Sequence, residues 1–292
     1  MHTDRDTGQM TIAGLLRKSA TELMATSRSA RLDAEVLLAH VLGRSRVQLY
    51  GSGTDAVKPE IAARFIKLVR ERGQGRPVAQ LIGSREFWSM ELTITPDTLV
   101  PRAETELLVE CALKHIPRRQ ECQVLDLGTG AGPVALALAG ERINAQVTAT
   151  DLSESALAVA QYNTVMQKQR NVDFSFGDWF GAVRGRKFDV VVSNPPYVSD
   201  KEWLLHHFEL SHEPAMALRG GRDGLIAIRR ILEQAPQHMN DEGWLLIEHG
   251  FRQGPAVADL FQAHGFKNVS TYRDLPGHPR VTEGKLPGND NT

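Results

Sequence analysis

Val124-Leu125-Asp126-Leu127-Gly128-Thr129-Gly130-Ala131-Gly132-Pro133 decides the fold of this chain. The first four residues read as a short buried strand. Three alternate glycines follow at once, and Pro133 opens a helix rich in Ala and Leu. Glycines at such a joint let the backbone turn tightly and come close to a ligand, and proline suits a first helical turn. A second strand, residues 146–150, runs into Asp151, and Ser153 is placed to cap the helix after it. An acid roughly 20 residues beyond a glycine-rich loop, at the tip of the second strand, is positioned to accept hydrogen bonds from ribose hydroxyls.

The loop spacing is G-x-G-x-G, not the G-x-G-x-x-G of dinucleotide folds, and the chain has no phosphate loop of the G-x-x-x-x-G-K-[ST] type. With Asp151 this pattern suits S-adenosylmethionine (SAM) better than NAD; the competing reading is glycines that serve strand–helix packing alone. A third strand, residues 172–176, leads into Gly177-Asp178-Trp179-Phe180. There an acid could bond an adenine amine and an aromatic could pack on the ring, although Trp179 reads equally well as a core side chain.

Residues 188–193 form a β-branched run that ends in Asn194-Pro195-Pro196-Tyr197, at the carboxyl end of a strand, where open α/β sheets place their ligands. The prolines stiffen the backbone and leave its carbonyls as acceptors. Asn194 adds a side-chain acceptor and Tyr197 a flat face. Such a set suits a planar substrate with an NH2 group, an amide or a base amine, against the plainer reading of a proline-terminated turn. One N–H of that group would donate to the Asn194 side-chain oxygen and the other to the Pro195 carbonyl.

From residue 11 to about 73 every periodic segment is helical. Ile12, Leu15, Leu16 and Leu23 mark one helix, Val36, Leu37, His40 and Val41 a second ending at Gly43. Ile61, Phe65, Leu68 and Val69 mark a third, opened by Pro59 and stopped by Gly73. The expected organisation is a helical substrate-binding domain over residues 1–74, a linker with a β-hairpin over 75–100, and an α/β catalytic domain over 101–292. Residues 1–10 and 287–292 read as frayed ends. Arg28, Arg31, Arg44 and Arg46 could face an acidic partner or simply water.

Composition narrows the function. Across 292 residues, 34 basic side chains balance 35 acidic ones, so no global positive field exists to hold a nucleic-acid duplex. The two cysteines, Cys111 and Cys122, make a disulfide framework unexpected and a cytoplasmic setting natural. No apolar run has the length of a membrane span. His206, His207 and His212 cluster without a recognisable ligand set, and no metal is expected.

Together these motifs resemble a class I SAM-dependent methyltransferase, an α/β Rossmann-like sheet, here with a small N-terminal helical bundle. More closely, nearly the whole chain is similar to the PrmC/HemK family, the peptide chain release factor glutamine N5-methyltransferases. Arg85-Glu86-Phe87-Trp88, Leu99-Val100-Pro101-Arg102-Ala103-Glu104-Thr105-Glu106, Glu213-Pro214 and Gly220-Gly221-Arg222-Asp223-Gly224-Leu225 carry the likeness. So do Asp33-Ala34-Glu35, Glu248-His249-Gly250 and Arg273-Asp274-Leu275 with Gly277, Arg280 and Val281. Ala103 departs from a usual proline and Ala131 from a frequent Thr or Ser. The resemblance implies that Gly128, Thr129, Gly130, Ala131 and Gly132 wrap the methionine part of SAM and that Asp151 holds the ribose. It also implies that Asp178 and Trp179 line the adenine pocket. Asn194, Pro195, Pro196 and Tyr197 would grip the substrate glutamine, with Asn194 also near the cofactor. The implied partner is a bacterial class I release factor, methylated on its Gly-Gly-Gln glutamine by a cytoplasmic monomer without stable nucleic-acid binding. The competing readings are methylation of an exocyclic amine such as adenine N6 on DNA or RNA, and of a ribosomal-protein glutamine.

Overall fold

A computed structural model describes residues 10–288. The ends expected to fray lie outside these residues, apart from Met10, Pro287 and Gly288. The chain divides into two compact units, Met1–Gly83 and Ser84–Thr292. The hairpin therefore falls inside the larger unit rather than in a separate connector.

In the smaller unit, α1 (Ile12–Leu23), α2 (Ala30–Leu42), α3 (Arg46–Gly51), α4 (Pro59–Gly73) and α5 (Val78–Ile82) surround one apolar core. Local chemistry sets their ends. The Thr11 hydroxyl accepts from Gly14 N, Ser45 and Gln48 form a capping box on α3, and Pro59 occupies the first turn of α4. Gly43 ends α2 at φ 61°, a left-handed turn that glycine adopts without steric cost. Gly73 is the last residue of α4 rather than its stop; Gln74 caps it. Helix α5 falls within the stretch, 75–100, that the sequence reads as a linker with a β-hairpin.

Two buried acids pull this bundle together. Asp33 accepts from the hydroxyls of Ser27 and Ser29 and from Arg72 Nε at 2.7–2.8 Å. Glu35 accepts from Arg31, Arg46 and Tyr50 at 2.7, 2.9 and 3.0 Å. Burial opposes its charge, yet these donors hold its pKa below the ordinary value. Arg44 pairs with Asp55 at 3.3 Å. Three of the four arginines considered for an acidic partner are thus engaged within their own unit.

The larger unit begins with the hairpin β1 (Ser84–Phe87) and β2 (Met90–Thr93). Its turn residues Trp88 and Ser89 both have positive φ, as tight hairpins of native twist require. Then come α6 (Glu106–Ala112), β3 (Cys122–Leu127), α7 (Pro133–Glu141), β4 (Ala145–Asp151), α8 (Glu154–Met166), β5 (Val172–Phe176) and β6 (Phe188–Ser193). Three short helices follow, α9 (Asp200–Leu205), α10 (His207–Leu210) and α11 (Ala215–Leu218). The unit closes with α12 (Ile226–His238), β7 (Met239–Glu248), α13 (Gly254–Ala263), β8 (Lys267–Arg273) and β9 (Pro279–Lys285).

The seven-stranded sheet has the order β5-β4-β3-β6-β7-β9-β8. Strands β5 to β7 are parallel, and β9 runs antiparallel between β7 and β8. The strand order reverses between β3 and β6, so the crevice beyond their carboxyl ends is the expected ligand position. The near-continuous apolar runs of β3 and β6 follow from burial on both faces. Phe180, Phe188, Ile228, Ile231, Leu245 and Phe261 belong to the core on one side of this sheet. Among the described residues, no helix is long and apolar enough to cross a membrane.

Candidate active site

The loop after β3 is built from three left-handed glycines, Gly128, Gly130 and Gly132, at φ 74°, 58° and 87°. Its backbone is tied to the next strand. Gly128 N and Thr129 N both donate to Thr150 O at 2.9 Å, and Gly130 N donates to Asp151 Oδ2 at 2.8 Å. Thr129 turns its hydroxyl inward, donating to Asp126 Oδ2 at 2.6 Å. Asp126 is fully buried, and burial pushes its pKa up to about 7 despite that bond.

Asp151 is held on both sides, since Ser153 N donates to its Oδ1 at 2.9 Å. Each oxygen keeps lone-pair capacity for a further hydroxyl donor. Next along the sheet edge, Trp179 sits at φ 49°, a strained backbone for a bulky residue. Its side chain both lines the cavity and packs on the core. Asp178 Oδ2 pairs with Arg230 at 2.6 Å.

At the end of β6 the half-buried Asn194 donates from Nδ2 to Thr105 Oγ1 at 3.2 Å. This bond uses one of the two N–H donors of the amide and leaves Oδ1 as an acceptor. Pro195 is buried. The Tyr197 hydroxyl donates to Glu248 Oε1 at 3.3 Å, and Gln253 Nε2 donates to Tyr197 O at 3.1 Å. Gly220 and Gly224 pack under this tetrad so closely that a side chain is excluded at either position. A Cβ on Gly220 would lie 2.7 Å from Pro196 O, and one on Gly224 2.2 Å from Tyr197 O.

One cavity of about 550 Å3 brings the expected residues together at the switch point. Gly128, Gly130, Asp151, Asp178, Trp179, Asn194 and Pro196 line it. Thr129, Ala131, Gly132, Pro195 and Tyr197 are not among its lining residues. Thr129 faces Asp126, and Ala131 offers its carbonyl to Asn163. Gly132 packs on Ala160, where a Cβ would meet it at 3.2 Å.

The sequence reading assigns no structural role to several residues of the site. Glu213 is buried and accepts from Val100 N at 2.9 Å and from Arg102 Nη2 at 2.5 Å. It thereby joins the segment ahead of α6 to the wall formed by residues 211–217. Asn163, also buried, bonds Thr93 N, Thr93 O and Ala131 O, fastening the hairpin and the glycine loop to α8. His212 lines the cavity, while His206 and His207 are exposed. Among the described residues no group of three or more His, Cys, Asp or Glu is arranged to hold a metal.

The cavity fits SAM in size and charge. Its volume lies in the range of small-ligand sites. Asp97, Asp151, Asp178 and Glu213 line it, Asp178 and Glu213 being paired with Arg230 and Arg102 outside the lining, and no Lys or Arg is among the described lining residues, so it favours a cationic sulfonium over phosphate.

Comparison with known proteins agrees. The family model described as Methyltransferase small domain matches residues 103–221, and the PrmC N-terminal domain matches residues 15–83. Among solved structures, a methyltransferase from Pyrococcus furiosus covers 79% of this chain and 100% of its own, at TM-score 0.53 and 19% identity. The hMettl16 catalytic domain in complex with an RNA hairpin covers 80% and 84%, at TM-score 0.56 and 13% identity. At these identities both show the fold alone. The release factor glutamine methyltransferase of Pseudomonas aeruginosa is 45% identical, covering 94% of this chain and 98% of its own. That of Xylella fastidiosa (strain Temecula1) is 44% identical over 90% and 96%, and that of Escherichia coli (strain K12) 41% identical over 92% and 97%. A methyltransferase fold and this identity along almost the full length of both chains lead to one conclusion: the chain belongs to the release factor glutamine methyltransferase family.

Proposed function

We propose that this enzyme methylates the side-chain amide nitrogen of the glutamine in the Gly-Gly-Gln loop of bacterial class I release factors, with SAM as methyl donor. The observation that carries the reading is the orientation of Asn194, whose Nδ2 is tied to Thr105 and whose Oδ1 is left to accept. The relatives, named as release factor glutamine methyltransferases, support the choice of a release factor over other amide or amine substrates.

The backbone from Gly128 to Gly132 would hold the methionine part, with Thr129, Ala131 and Gly132 shaping the loop from beneath. Asp151 would bond the ribose, and Asp178 with Trp179 the adenine. When bound, SAM supplies an electrophilic methyl on a sulfonium. An amide nitrogen is a poor nucleophile because its lone pair is delocalised into the carbonyl. Asn194 Oδ1 accepts one N–H of that nitrogen and the Pro195 carbonyl the other, which fixes it in line for attack. As positive charge develops on nitrogen, both acceptors bind it more strongly, so their help is largest in the transition state. Pro196 stiffens the grip and Tyr197 packs on the amide plane. No base is needed before transfer, because the nitrogen proton becomes acidic afterwards and leaves to water.

The test is transfer of labelled methyl from SAM to a purified release factor, beside one whose Gly-Gly-Gln glutamine is replaced. Label on the first and not the second is expected. Label only on DNA, RNA or a ribosomal protein overturns the substrate.

A further inference from the structure

Glu248 ends β7 directly behind the tetrad and is 1% exposed. Its Oε1 accepts from Tyr197, and its Oε2 is buried without a hydrogen-bond partner. A buried carboxyl with an unpaired oxygen is costly, and groups of this kind in native folds call for a reason. Around it stand the Thr105 hydroxyl, Tyr197, the Arg280 guanidinium and the Glu104 carboxylate, with His249 next in the chain and Arg102 acting on Tyr197. Thr105 is itself 2% exposed and is the acceptor for Asn194 Nδ2.

A hydroxyl has one proton and can pass direction along a chain of hydrogen bonds. While Thr105 accepts from Asn194, its own proton is available to another acceptor, and the hydroxyl lies beside the Glu248 carboxylate, whose Oε2 has no other partner. We infer that Glu248, as a carboxylate, is a positioning residue that polarises Thr105 and so keeps the Asn194 side-chain oxygen turned toward the substrate. The inference rests on the proposal that Asn194 accepts the substrate amide, and it adds what sets the direction of that acceptor. Through Tyr197 the same carboxylate also holds the far end of the tetrad. A protonated Glu248 reverses the chain: Thr105 becomes free to donate to Asn194 Oδ1, and the amide then presents its NH2 to a substrate that also offers NH2.

Burial, opposed by Thr105, Arg280 and Tyr197 and reinforced by Glu104, raises the pKa of Glu248 to about 7. The active orientation therefore fails as pH falls through that value. Asp126 titrates in the same range, so a rate profile alone does not separate the two carboxyls.

The first readout needs no substrate. In the full chain with asparagine side chains labelled with 15N, the Asn194 amide signal is identified by its loss in N194A. In the wild type it should shift with a midpoint near pH 7. In Glu248→Gln and Thr105→Val the shift should vanish, and in Thr105→Ser, which restores the hydroxyl, it should return. The second readout is turnover with release factor at saturating SAM. Glu248→Gln should lower kcat about tenfold or more, on the scale of a misaligned transition-state contact, and lose the acid limb. Its SAM affinity and melting temperature should stay near wild type. An Asn194 signal in Glu248→Gln that titrates as in the wild type overturns the inference, as does a kcat within about threefold of normal. If the wild type itself leaves release factor unlabelled, the proposed function falls, and the Asn194 signal still decides the role of Glu248.

Discussion

Replacing Gly224 by Ala strikes the tetrad without touching any group that performs chemistry. Gly224 has φ +77°, and a Cβ there would lie 2.2 Å from Tyr197 O, 2.5 Å from Gln253 Nε2 and 3.1 Å from the Tyr197 carbonyl carbon. The Gln253 amide can swing away. The Tyr197 backbone resists, since the two prolines before it are rigid. The left-handed backbone costs an alanine about 1–2 kcal/mol and overpacking about 1–3 kcal/mol more. The sum, about 2–5 kcal/mol, corresponds to a Tm lower by about 4–20 °C in a unit of this size. Relief of the clash requires Tyr197 to move by about 1 Å, a displacement that costs about a hundredfold in rate when it misplaces reacting groups. Gly185 is the control, with φ +74° and nothing within 4 Å of its Cβ position. Gly185→Ala should lose only the backbone share and keep full turnover. Calorimetry and labelled-methyl kinetics on both variants give the answer. A Gly224→Ala enzyme with normal Tm and kcat would refute the claim that this glycine sets the position of Tyr197.

Other expectations follow from the same geometry. Asn194→Ala should cut methyl transfer by about a hundredfold or more while SAM affinity changes less, and near-normal turnover in a steady-state assay would remove it as acceptor. Asp151→Ala should weaken SAM binding measured by calorimetry, and an unchanged affinity would reject its ribose role. Asn163→Ala frees buried partners on both the hairpin and the glycine loop, so denaturant unfolding should show a loss of about 2–3 kcal/mol. For Asp126 the folded pKa, about 7, lies above the unfolded value, so the native state binds the extra proton between them. Stability should therefore decline as pH rises from about 4 to about 7, and Asp126→Asn should flatten that slope in urea titrations at several pH values.

The parts of the site that sequence exposes are those whose cause is local. The run from Val124 to Pro133 carries strand, turn and helix start in ten consecutive residues, and the prolines after Asn194 end a strand by their own chemistry. Asp151 follows from its place at the tip of β4. What stays hidden depends on partners far along the chain. Glu213 meets Val100 and Arg102 across more than a hundred residues, Asn163 meets Thr93 across 70, and Glu248 meets Tyr197 across 51. Nothing at motif level separates the wall-lining Gly128 and Gly130 from Thr129, whose inward turn is dictated by the buried Asp126. The arginines of the smaller unit show the same limit, because Arg31 and Arg46 read as a basic face until Glu35 is found between them.

The acidic lining of the cavity bears on turnover as well as capture. Its carboxylates reward a positive charge on whatever occupies it. Donation of the methyl turns a sulfonium into a neutral thioether, so the same wall that draws the donor in loosens its hold on the spent molecule. If the cavity holds SAM as proposed, exchange of product for fresh donor is biased forward by the protein's own charge distribution.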